Sequence, residues 1–155
     1  MNADTLARRL VAVVSVLLWA APAAQAAPRV ITLTQVACQF LESEGNANRG
    51  YTTHAKADCD AINAKTAAAR VAAARPLQLE AGAYVFRVTN RDVPYELGFW
   101  LRGATLAGRV RLPSVSGGGL ALGKTQDYAI TLEPGEYVYS CPLNTTPDYR
   151  LVVTR

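Results

Sequence analysis

Methionine and histidine are nearly absent from this chain of 155 residues: Met1 and His54 are the only ones. A single imidazole leaves no room for a ligand set built on two histidines, and it restricts any catalytic triad to His54. No Gly-x-Ser-x-Gly elbow is present. The sequence therefore predicts a protein that is not an enzyme. Clusters of one charge are also missing. The 16 basic and 12 acidic residues are spread along the chain with no interleaved aromatics. That pattern excludes nucleic acid as the expected partner.

What is present begins with an export signal. Arg8-Arg9 form a basic start, Leu10 to Ala21 an apolar stretch too short to be a good membrane span, and Ala24-Gln25-Ala26 a small-x-small cleavage pattern. The expectation is a signal peptide over 1–26 and a periplasmic, exported domain over 27–155 with no further membrane span. Loss of Arg8, Arg9 and Asp4 takes the net charge from +4 to +3, a surplus that speaks to solubility more than to a partner.

Along the mature chain, Ile31, Leu33 and Gln35 alternate with threonines as on an opening strand. A polar stretch over 42–53 reads as a loop, with Thr52 or Thr53 as helix cap. Residues 56–74 are rich in alanine, and Pro76 stops that helix. Its apolar stripe is Ile62, Thr66, Ala69 and Ala73. The helical insert covers about 54–75. Short strands and turns follow. Tyr84, Phe86 and Val88 alternate, Tyr95 to Leu101 is dense and aromatic, and 103–108 reads as a turn before a strand segment at Val110 and Leu112. Gly117-Gly118-Gly119 lies in a long loop, and Tyr128, Ile130 and Leu132 form the next strand. The economical architecture is all-β, a Greek-key β-sandwich with one inserted α-helix.

The last fifth of the chain concentrates the chemistry. Pro134-Gly135 turns, Tyr137, Tyr139 and Cys141 alternate along a strand, a polar loop runs from Pro142 to Asp148, and Tyr149, Leu151 and Val153 form the closing strand. Tyr137 reads as a structural tyrosine whose hydroxyl meets backbone at the corner of the sandwich. The three cysteines are Cys38, Cys59 and Cys141. In an exported protein one pair is expected to be bridged. Cys38–Cys59 would pin the helix to the opening strand, and Cys38–Cys141 is the alternative.

A cysteine at the end of a buried strand, opening into a loop before the last strand, resembles the copper-thiolate arrangement of the cupredoxins. The resemblance is strongest to the periplasmic cupredoxin domain of EfeO-type iron-uptake proteins. It is carried by Cys38-Gln39, the stretch Leu77 to Asn90, Leu101-Arg102-Gly103, and Leu132 to Tyr137 with Cys141-Pro142-Leu143. The resemblance implies a module that handles copper, or iron, in metal uptake or electron transfer, with a metal-uptake or redox protein of the periplasm as partner. A blue-copper site needs a thiolate, two imidazoles and usually a weak axial methionine. One chain with His54 alone and no internal methionine cannot build it, and Asn144 stands three residues after the cysteine, where the second imidazole belongs. The candidate ligands of a rebuilt, non-standard site are Cys141, Glu96 and His54. The alternative is a metal-free interaction module, with Tyr95, Phe99 and Trp100 as its contact residues.

Overall fold

The computed structural model describes residues 27–155; the expected signal peptide over 1–26 lies outside the described residues. The opening alternation forms β1 (Arg29–Val36). Leu33 and Gln35 point inward and Thr32 outward, so the period-2 pattern decides which face is core. The chain turns at Ala37-Cys38 into the short β2 (Gln39–Phe40) and a single 3₁₀ turn at Glu42–Glu44. Cys38 adopts φ 63°, a left-handed conformation uncommon outside glycine.

The inserted helix α1 (Lys56–Ala73) follows. Its cap differs from the expectation. Neither Thr52 nor Thr53 caps it; the Asp58 carboxylate accepts the backbone N–H groups of His54 and Ala55 at 2.7 and 3.1 Å. Its inward face differs as well. Cys59, Asn63 and Arg70 are the buried residues, whereas Ala69 and Ala73 are exposed. The alanines set helix propensity, and the polar residues set the docking face.

The remaining strands are β3 (Leu77–Glu80), β4 (Gly82–Asn90), β5 (Leu97–Gly103), β6 (Val115–Leu120), β7 (Thr125–Leu132), β8 (Gly135–Ser140) and β9 (Tyr149–Thr154). One sheet has the order β2-β1-β4-β7 and the other β3-β9-β8-β5-β6. Two pairs are parallel, β1 with β4 and β3 with β9. Such pairs need crossovers, and the segment carrying α1 supplies one of them. Phe40, Tyr84 and Phe86 from one sheet meet Phe99, Tyr139 and Tyr149 from the other in a single core. The Tyr137 hydroxyl donates to the Glu133 carbonyl at 2.9 Å, the corner contact expected of it.

Two segments differ from the sequence reading. Residues 106–111 form a second short helix, α2 (Leu106–Arg111), capped by the Thr105 hydroxyl accepting from the Gly108 N–H at 3.0 Å. The triple glycine lies in β6 instead of a loop. A Cβ on Gly98 of β5 would lie 2.6 Å from the Gly117 carbonyl oxygen, so this close pairing requires glycine at 98.

Candidate functional site

Cys141 follows β8 directly and is fully buried. Its Sγ accepts two backbone N–H groups, from Gly98 at 3.3 Å and from Asn144 at 3.2 Å. The loop folds back at once, because the Cys141 N–H donates to Thr146 Oγ1 at 2.8 Å and the Thr146 N–H to the Cys141 carbonyl at 3.2 Å. Burial pushes the thiol above its ordinary pKa, and the N–H donors of Gly98 and Asn144 offset that only in part. At neutral pH it is a protonated, enclosed thiol, unlike the exposed, low-pKa cysteines that act as nucleophiles.

Two carboxamides fill the space beside it. Asn144 Nδ2 donates to the Val36 carbonyl at 2.8 Å and to Gln35 Oε1 at 3.4 Å. Asn144 Oδ1 accepts from the Cys38 N–H at 2.9 Å. Gln35 Nε2 donates to the Gly98 carbonyl at 2.8 Å. Both residues are fully buried. The network ties β1, the turn after it, β5 and the Cys141 loop into one knot. Leaving any of these polar atoms without a partner would cost about 1–3 kcal/mol.

The disulfide closes the same end. Cys38 is bonded to Cys59, with Cα atoms 5.1 Å apart, so Cys38–Cys141 pairing is excluded and Cys141 is the free cysteine. Cys59 Sγ lies 3.4 Å from Asn144 Oδ1 and 3.7 Å from the Tyr95 hydroxyl. Arg70 secures α1 from below. Its Nη2 donates to the Cys38 carbonyl at 2.8 Å and pairs with Glu44 at 2.6 Å.

The candidate ligands do not converge. Among the described residues no three of His, Cys, Asp and Glu are grouped so that they could hold a metal ion. His54 is exposed at the start of α1, in a groove with Tyr51, Thr53, Asp92 and Pro94. Glu96 is exposed, and its Oε1 accepts the Gly119 N–H at 2.8 Å, tying down β6. An amide oxygen can serve copper as a weak axial ligand but does not replace two imidazoles. The residues around Cys141 therefore do not fit a blue-copper ion.

Of the candidate contact residues, Phe99 is corrected. It is buried and packs against Tyr128 and Phe86, with centroids 5.1 and 5.6 Å apart. Trp100 is the one exposed residue of β5, and its neighbours Phe99 and Leu101 are buried on the opposite face of the strand, toward the core. Tyr95 is half-buried, its hydroxyl 3.5 Å from Thr53 Oγ1. Trp100 is 36% exposed and is held flat by the Arg102 guanidinium, 3.9 Å from its ring and bidentate to Asp148. A shallow groove runs from Trp100 past Gly117 to Pro142 and Leu143, directly over the Cys141 loop. Sequence reasoning left Gln35 without a role. The available signal was an inward-pointing amide at the end of an otherwise apolar alternation.

Auracyanin B superposes on 84% of this chain and 93% of its own, with TM-score 0.51 and 12% identity. The chain has a cupredoxin-like fold. An oxidised amicyanin variant matches 51% of this chain and 69% of its own at 22% identity and TM-score 0.35. A multi-copper oxidase from Pediococcus acidilactici matches 87% of this chain and 27% of its own at 7% identity and TM-score 0.39. No protein-family model matches the chain, and no curated protein sequence matches it. In this cupredoxin-like sandwich the cysteine at the end of β8 is packed beside the carboxamides of Gln35 and Asn144. Among the described residues no helix is long and apolar enough to cross a membrane.

Proposed function

We propose that this chain is an exported, periplasmic cupredoxin-fold module that works without a metal and without catalysis, by binding a protein partner. The observation that carries this reading is the Gln35–Asn144 knot. The Gln35 and Asn144 carboxamides, the polar side chains packed beside Cys141, already use their hydrogen-bonding groups to hold strands together. The groove of Trp100, Pro142 and Leu143 is the contact surface, and a redox or metal-uptake protein of the same compartment is the partner.

A second reading keeps copper, or iron, in play through Cys141. It is favoured by the two N–H groups aimed at Sγ, which would also stabilise a thiolate ligand. An anaerobic competition titration of residues 27–155 with Cu(I), repeated aerobically with Cu(II), separates the two. The metal-free reading predicts no stoichiometric uptake beyond that of the unfolded chain. One tight equivalent that disappears in Cys141→Ser would replace it with the second reading.

A further inference from the structure

Helix α2 is built the wrong way round for a surface helix. Such helices turn apolar side chains inward and small or polar ones outward. Here Gly108 is buried, while Leu106 and Val110, one turn apart on the same face, are 81% and 86% exposed. The inward contact is close: a Cβ on Gly103 would lie 2.2 Å from the Gly108 carbonyl carbon. Leu112 anchors the far end, its side chain against Gly135. The Thr105 cap fixes the first turn. The helix is therefore held rigidly to β5 while its two large apolar side chains face solvent.

Charge narrows what they meet. Arg109 and Arg111 occupy the last turn, both exposed, and α2 holds no acidic residue. Among the described residues neither arginine is paired with a carboxylate. Two protruding side chains bury far less than the roughly 800 Å² per partner of a stable protein interface. A lipid surface needs no complementary pocket. It accepts apolar side chains at the headgroup boundary and attracts arginines when anionic.

We infer that α2 is a membrane-surface contact for anionic lipid, inserting Leu106 and Val110 between headgroups with Arg109 and Arg111 on the phosphates. Within β5, Gly98, beside Cys141, and Gly103, beside α2, are five residues or ~17 Å apart, so this contact and the Cys141 loop lie toward opposite ends of the strand. Lipid contact at one end leaves the other end free. The inference is independent of whether Cys141 binds metal.

The test is co-sedimentation of residues 27–155, which carry both sheets and the whole core, with phosphatidylcholine vesicles with and without phosphatidylglycerol. Binding is expected only to the anionic vesicles and to weaken with salt. Leu106→Ser with Val110→Ser should reduce it roughly tenfold or more, and Arg109→Gln or Arg111→Gln roughly fivefold each. Unchanged circular dichroism and thermal unfolding would show that the variants remain folded, as their exposure predicts. Absence of binding to anionic vesicles, or equal binding by the double serine variant, overturns the inference. So does a concentration-dependent dimer abolished by the same variant, which would assign the face to a second copy of the chain.

Discussion

Replacing Arg70 with methionine is expected to cost about 3–5 kcal/mol of folding stability, the scale found when one partner of a buried ion pair is removed. The Arg70 and Glu44 side chains are each only 2% exposed. Arg70 also donates to Asn63, the Cys38 carbonyl and the Tyr149 hydroxyl, and Tyr149 donates to Glu44 Oε1 at 2.6 Å. Without the guanidinium, Glu44 would be left as a buried carboxylate with Arg49 as its remaining cation. Denaturant unfolding measures the loss, and a cost below about 1 kcal/mol would mean that α1 docks by other means. Adding Glu44→Met should recover part of it, since an apolar pair removes the uncompensated charge.

The same cluster sets the acid limit. Burial alone would raise the Glu44 carboxyl, but hydrogen bonds from Arg70, Tyr149 and Arg49 outweigh it and hold the group below its ordinary range. A carboxylate depressed in the folded state contributes stability above its unfolded pKa, roughly 4, and that contribution is lost as pH falls through the folded value. Wild type should therefore lose stability at acid pH more steeply than the Arg70→Met, Glu44→Met protein.

Removing the disulfide is expected to cost about 3 kcal/mol. Cys38 and Cys59 are 21 residues apart, and closing a loop of that size restricts the unfolded chain by about this much. Cys38→Ala with Cys59→Ala, compared with wild type in denaturant without reductant, gives the number. A change under about 1 kcal/mol would show that the bridge adds little to an already fixed turn. The two effects should not add. Arg70 holds the carbonyl of the residue that the disulfide holds by its side chain, and sites sharing a partner couple.

Both predictions concern α1, where the legibility of the sequence divides. Its bounds follow from the alanines and Pro76, because propensity and proline geometry act locally. Its docking face does not. An apolar stripe of Ile62, Thr66, Ala69 and Ala73 is visible in the sequence, but Arg70, Asn63 and Cys59 win because Glu44, Thr145 and Cys38 offer them partners. Those partners come from distant parts of the chain. The sandwich strands were readable wherever alternation was clean, as in β1, β4 and β9. β6 was hidden because glycine carries no hydrophobic signal. α2 was hidden because Leu106 and Val110, which should mark a core face, point outward.

At the Cys141 end, the lack of a second histidine was legible as composition, and Asn144 was legible only through the resemblance to a blue-copper loop, as the residue three positions after the cysteine. That Asn144 closes a hydrogen-bonded knot with Gln35 was not, since the two lie 109 residues apart in sequence. Buried carboxamides join β1, the turn after it, β5 and the Cys141 loop at this end of the sandwich.

The most direct test of that account is to follow the side-chain amide resonances of Gln35 and Asn144 by NMR while Cu(I) is added anaerobically to residues 27–155. The account predicts that both NH₂ groups keep their shifts and their slow exchange with solvent through one equivalent. Stoichiometric displacement of the Asn144 signal, together with that of the Cys141 and Gly98 backbone amides, would show that the knot opens for a metal and would contradict it.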